Sequence, residues 1–351
     1  MSGTLTGIGA DGRITLAHGG GGSAMRSLID EVFLAAFAQD PAAAQEDQAR
    51  LDLNALAQQG DRLAFTTDAF VVEPLEFPGG NIGTLAVCGT VNDLAVGGAT
   101  PVALSAAFVL AEGLELAVLR RVVQAMAQSA ARAGVRIVTG DTKVVPRHAC
   151  DGLFVTTSGI GVIRPEHSIS IAAGQPGDVV MVNGTLGDHG AAILCARGDL
   201  ALQAQLHSDC APLNTLVDAL LDAVPDVHCM RDATRGGVAG VLSELAEDSG
   251  VLVTIKEASL PVHPEVEGVC EILGLDPLFL ANEGKLVVVV PPCHAEHALA
   301  AMRGHPLGCN AAIIGTLQAS PNRRGAVHLV NEFGGTRVLT MPSGEQLPRI
   351  C

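Results

Sequence analysis

Apolar segments of strand and helix length run through the chain twice, separated at Arg164 to Asp178 by a stretch holding two prolines and two glycines among mixed polar residues. Before the break, the spacing predicts strands at Leu63 to Thr67, Pro101 to Leu110, Val135 to Thr139 and Phe154 to Ile163. Helices are predicted at Met25 to Ala38, Ile82 to Val96 and Glu115 to Ala133. After it come strands at Val179 to Asn183, Leu252 to Lys256, Lys285 to Val290, Ala311 to Leu317 and Val327 to Val330, interleaved with helical stretches. Alternation of this kind is the pattern of an α/β (α+β) protein, and 351 residues exceed the roughly 100 to 200 of a single core. The expected organisation is an arm and helix over 1–40, a first domain over 41–165, a second over 176–337 and an exposed, flexible tail over 338–351.

Composition removes whole classes of function. Nine Phe with no Trp or Tyr leave little to stack on bases, and a net charge of −16 repels phosphate backbones and anionic lipid. No nucleic-acid or membrane partner is expected. The apolar runs fall short of the ~18 residues that span a bilayer and no leader precedes them, so a cytoplasmic location is expected. The nine cysteines are odd in number and include no CxxC pair, which fits reduced thiols.

Gly7-Ile-Gly-Ala-Asp-Gly12 carries the letters of a dinucleotide fingerprint but lies in the arm without a strand before it, and there is no P-loop. His18-Gly-Gly-Gly-Gly-Ser23 reads either as slack, irregular linker or as a phosphate nest built on Gly20, Gly21 and Gly22. Asp47, Asp68, Asp93 (beside Asn92), Asp141 (before Thr142) and Asp232 are each expected where a strand hands over to a loop or helix. Any one of them alone reads as a cap or turn. Together they offer the hard oxygens that hold Mg²⁺ against a triphosphate, with Arg235 adding a cation before a helix. Asn183 opens a glycine-rich turn that reads equally as plain turn or ligand contact. The chain has only three lysines, and Lys143 and the pair Glu283 and Lys285 flank apolar strands, where a charge is either in water or partly buried and shifted. Cys293, His294 and His297 have ligand spacing on a helix but no further ligands, and no function is assigned to them. Cys351 is different: an unpaired thiol on the last residue adds no packing, and a tail of about ten residues reaches ~33 Å, enough for a swinging carrier.

These residues resemble a known family. His18 to Ser23, Glu46 to Asp52, Phe77-Pro-Gly-Gly-Asn-Ile-Gly83, Gly140-Asp-Thr-Lys-Val-Val145, Gly184 to Gly190, Arg231-Asp-Ala-Thr-Arg-Gly-Gly237, Ala281-Asn-Glu-Gly-Lys-Leu286 and the ending Pro348-Arg-Ile-Cys351 are similar to the HypE hydrogenase maturation factors. These are carbamoyl dehydratases of nickel-iron hydrogenase assembly, within the PurM-like ATP-binding superfamily. The resemblance implies two α/β domains, a homodimer whose first domains share a β-barrel, and ATP in the dimer's cleft under the glycine arm. It also implies ATP and Mg²⁺ at Asp47, Asp68, Asp93, Asp141 and Asp232, with the four last as metal ligands, and Gly20, Gly21, Gly22, Asn92, Thr142, Asn183 and Arg235 as further nucleotide contacts. Cys351 would receive a carbamoyl group from HypF, be dehydrated to a thiocyanate, and pass cyanide to iron on HypC–HypD.

A thiocarbamate oxygen leaves slowly as hydroxide, so ATP must first phosphorylate it; the transferring phosphoryl needs cations and position rather than a nucleophilic side chain. Glu283 is the expected base for the nitrogen proton and Lys143 its electrostatic partner or phosphate clamp, which gives Cys351, Lys143 and Glu283 as the catalytic set. Without the tail, a small-molecule kinase or selenophosphate synthetase of the same superfamily ranks next, followed by a non-enzymatic thiol or metal carrier.

Overall fold

The computed structural model describes residues 12–38, 46–198, 205–321, 324–340 and 349–351. The chain enters through a 3-10 turn at Leu16–Gly19, α1 (Ser23–Leu28), a π-helical stretch at Ile29–Leu34 and α2 (Ala35–Phe37). The arm is therefore more regular than its glycines suggest. His18 is buried at its centre, and Gly19 packs on Val144 so closely that a Cβ would touch its side chain at 2.9 Å.

After α3 (Leu53–Ala57), the first unit consists of β1 (Arg62–Phe70), the hairpin β2 (Glu76–Phe77) and β3 (Gly80–Asn81), α4 (Ile82–Val96), β4 (Ala99–Ala111), α5 (Leu116–Ala133), β5 (Arg136–Val145) and β6 (Leu153–Ile163). Its sheet runs in the order β1-β6-β4-β5. Parallel pairing of β4 with β5 needs a crossover, which α5 supplies, and Gly134 ends that helix at φ +70°. α4 is apolar or small almost all round and is buried along nearly its whole length. Such a helix belongs in the middle of a protein. The Asn81 side chain starts it by accepting the N–H groups of Gly83 and Thr84.

The second unit holds β7 (Val179–Val182), α6 (Asp188–Arg197), α7 (Asn214–Ala223), β8 (Cys229–Asp232), α8 (Gly237–Ser249), β9 (Val251–Lys256), α9 (Pro264–Leu273), β10 (Leu286–Val290), α10 (Ala295–Arg303), β11 (Ala312–Ala319), β12 (Ala326–Val330) and β13 (Thr336–Leu339). Its seven strands run β13-β12-β9-β11-β7-β10-β8. The unbroken apolar run of β10 is buried at every position, as a strand covered on both faces must be. Ala95 and Val96 of α4 pack into this unit's core, while Ile193, Cys210, Ala281 and Ile350 pack into the first unit's. The two halves thus meet along α4.

The structure differs from the sequence expectation in two places. β5 does not stop at Thr139 but runs to Val145, because Thr142, Val144 and Val145 continue a good strand against β4. Asp68 and Asp141 therefore lie within strands and Asp93 within a helix, not at strand ends. The sheet of the first unit is open within this chain. Most of the expected tail, residues 341–348, lies outside the described residues; before them β13 reaches Leu339, and after them Ile350 is only 4% exposed and bridges to Val72.

Candidate active site

Asp68 from β1, Asp93 from α4 and Asp232 from the end of β8 converge where the two units meet. Thr66 Oγ1 donates to Asp93 Oδ2 at 2.8 Å, and Asp93 lies beside Asp68. Burial, then the neighbouring Asp93, raises Asp68 to about 6 against the pull of Arg235. Burial and Asp93 raise Asp232 to about 7. Asp68 and Asp232, both raised beside Asp93, form with it and the neighbouring arginine a cation-ready cluster. Among the described residues no group of three or more His, Cys, Asp or Glu side chains closes around a metal by itself. The donors nonetheless fit Mg²⁺, which keeps waters and takes phosphate oxygens alongside one or two carboxylates.

Next to this cluster is Glu283, 2% exposed, with Oε1 buried and without a partner. Burial first, then Asp209 and Asp232, hold its carboxyl well above the usual range. The Cys351 thiol lies beside Glu283 and is itself raised, chiefly by burial and then by that carboxyl.

The last three residues are gripped rather than loose. His189 Nε2 lies 2.7 Å from the Ile350 carbonyl, which can only accept, so the ring carries its proton on Nε2. Ser208 Oγ is 2.8 Å from Nδ1 and donates to it, and burial keeps the ring neutral. Arg197 Nη2 and the Glu73 N–H donate to the Arg349 carbonyl at 2.9 and 3.1 Å. The Arg349 guanidinium spans Glu73 at 2.8 Å and Asp151 at 2.9 Å.

Other expected site residues are not brought here. Lys143 pairs with Asp141 at 3.3 Å on β5, and the two side chains are 69% and 58% exposed, so the charge leading from this strand is in water. Register aligns Asp68 with Thr157, Ala106 and Gly140 across the sheet. Asp141 is therefore about three strand spacings, roughly 14 Å, from Asp68. Thr142 is buried beside it; Gly20, Gly21 and Gly22 form the exposed turn next to this same edge, and Asp47 is exposed on the approach to α3. Asn92 and Asn183 are clasps. Asn92 Nδ2 donates to the carbonyls of Ala211 and Glu283 while Oδ1 accepts from Leu213 N–H. Asn183 Nδ2 donates to Gly284 and Leu307 while Oδ1 accepts from Leu286 N–H.

Sequence reasoning missed Asp209 and His189. Asp209 sits in Leu206-His-Ser-Asp-Cys210, outside any helix or strand, and only its tertiary partners mark it. Lys285 was the available signal, since a lysine leading into an all-apolar strand requires a buried acid.

Models of AIR synthase related proteins match this chain in both halves, the N-terminal domain over residues 45–163 and the C-terminal domain over 175–328. The carbamoyl dehydratase HypE of Rhodobacter capsulatus is 60% identical, over 97% of this chain and 99% of its own length. The chain belongs to the HypE family of carbamoyl dehydratases. A crystal structure of the hydrogenase maturation protein HypE in complex with ATP matches with a TM-score of 0.90 and 46% identity, over 96% of this chain and 99% of that one. A HypE–HypF complex matches at 0.77 and 45%, over 90% of this chain and all of the other. Family membership accounts for the two-unit fold.

Proposed function

We propose that this enzyme dehydrates an S-carbamoyl group carried on its own Cys351 to a thiocyanate, at the expense of ATP, and so supplies cyanide for the iron centre of nickel-iron hydrogenase. The observation that carries the reading is the docked Cys351 thiol beside the buried Glu283 carboxyl, whose Oε1 has no partner, with Asp68 and Arg235 close by. A terminal cysteine has no structural need of an acid partner; a thiocarbamate losing a proton does.

ATP supplies the phosphoryl group that turns the carbamoyl oxygen into a leaving group. Phosphorylation of the carbamoyl oxygen releases ADP and one nitrogen proton and leaves a C=N–H group; Glu283 then takes the second proton as the C–O bond breaks, the N–H electron pair completes the C≡N bond, and phosphate departs. Asp68, Asp93 and Asp232 would hold Mg²⁺, which supplies charge for the triphosphate, with Arg235 on the same anion. Burial of the thiocarbamate keeps water from competing for it.

Asp141 and Lys143 lie across the sheet from this centre, so we read them as serving a nucleotide cleft completed by a second copy. Gly20, Gly21, Gly22, Thr142 and Asp47 belong to that side of the cleft, with Lys143 as phosphate clamp. Leu63 at 59% and Phe65 at 71% exposure on edge strand β1 support a homodimer, because a large apolar face on an open sheet invites cover. Pairing of two such sheets would give the family's barrel. Carbamoylation by HypF requires the docked end to leave, and its half-exposed Arg349 ion pairs are of a kind that separates easily. HypC–HypD is the proposed cyanide acceptor, and nine free thiols suit a reducing cytoplasm.

The test is the mass of the C-terminal peptide after treatment with HypF, a carbamoyl donor and ATP. A cyano group on Cys351 is expected. A carbamoyl group that persists when ATP is present rules the reading out.

A further inference from the structure

We infer that Asp209 is a positioning residue for the dehydration, holding the Glu283–Gly284 backbone and Lys285 together so that the Glu283 carboxyl meets Cys351; this rests on the reading of Glu283 as base. Asp209 is buried, its side chain 4% exposed, and both its oxygens are used. Oδ1 accepts the Glu283 N–H at 3.0 Å; Oδ2 accepts the Gly284 N–H at 3.2 Å and the Lys285 ammonium at 2.9 Å. Burial alone would raise Asp209, yet the Lys285 ammonium and the Glu283 N–H hold it below the ordinary carboxylate value. Gly284 fits because a Cβ there would overlap the Asp209 carbonyl oxygen.

The other end of the same peptide unit is held as firmly. The Glu283 carbonyl accepts from Asn92 Nδ2 at 3.2 Å and from the Ala211 N–H at 3.4 Å. Glu283 is thus pinned at N by Asp209 and at O by Asn92 and Ala211, while its Oε1 has no partner at all. Buried polar atoms are normally satisfied, so a pinned backbone presenting an unsatisfied carboxyl oxygen keeps that oxygen for substrate. Asparagine cannot replace Asp209, since its amide would turn a donor toward N–H groups or toward the ammonium.

Single-turnover dehydration of full-length, Cys351-carbamoylated protein tests this, with rates expressed per ATP-binding site. D209N should be slower by about tenfold or more with ATP affinity within about twofold, the signature of a misplaced group rather than a lost ligand. The D209N/K285Q double variant, which removes the stranded ammonium, should remain slow. A wild-type rate in D209N, or a rate restored in the double variant, overturns the assignment. E283Q measured in parallel separates the two readings. If it keeps full rate, Glu283 is not the base; if it is inactive while D209N is fast, only the role of Asp209 falls. Should neither Asp209 variant fold, N92S releases the opposite end of the same peptide unit: a slow enzyme with normal ATP affinity supports the inference, and a wild-type rate overturns it.

Discussion

The Cys351 thiol lies beside the buried Glu283 carboxyl, and burial first, then that carboxyl, keeps the thiol protonated. A neutral thiol is a poor nucleophile, so in the docked position Cys351 is protected from attack on electrophiles other than its intended donor. Carbamoylation and dehydration accordingly belong to different positions of the same three residues.

Cys351→Ala should abolish cyano-group formation while leaving ATP affinity unchanged within about twofold, because the acid cluster does not depend on the thiol. Calorimetric titration with ATP checks the second half. A large loss of ATP binding would make the tail part of the nucleotide site rather than its substrate.

Asp68 and Asp232, raised to about 6 and about 7, bind protons more tightly folded than unfolded. Acids shifted upward oppose folding increasingly from about pH 4, and fully above about pH 7. Asp232→Asn should therefore raise the melting midpoint by about 3 °C near pH 8 and barely change it near pH 4. The midpoint gain on adding Mg²⁺ and ATP should likewise be larger near pH 8 than near pH 5, since metal binding requires the carboxylates deprotonated. Equal gains at both values would contradict the cluster's proposed role.

Lys143 makes one exposed ion pair, with Asp141. Its replacement by alanine should leave stability within about 0.5 kcal/mol and yet slow turnover by about tenfold or more, provided a second copy completes the cleft. Thermal melts beside single-turnover rates decide this, and an unaffected rate would remove Lys143 from the chemistry.

Much of the fold was legible because its periodicities are clean: β10 is an uninterrupted run of Leu and Val, and α5 is an amphipathic helix closed by Gly134. Short pieces were not, since β2, β3 and β13 have two to four residues each and exist only by pairing. At the site, Asp68, Asp93, Asp232, Arg235, Glu283 and Cys351 were found from residue type and motif, and the structure brings them together. Asn92 and Asn183 looked the same in sequence as ligand-binding amides, because a clasp on remote backbone and a contact to a ligand use identical atoms. Asp209 was invisible for the complementary reason: its three partners lie about 75 residues away. The end of the chain read as a tail because nothing in Pro348-Arg-Ile-Cys351 announces that His189, Arg197 and Glu73 wait to receive it.

Tracing the carbamoyl oxygen tests the central claim most directly. Protein carbamoylated at Cys351 with a heavy-oxygen label is given ATP, and the released phosphate and the C-terminal peptide are both weighed. Dehydration through a phosphorylated thiocarbamate should deliver the label to inorganic phosphate, one per thiocyanate formed on Cys351. Label recovered in water, or thiocyanate formed without ATP, would contradict it.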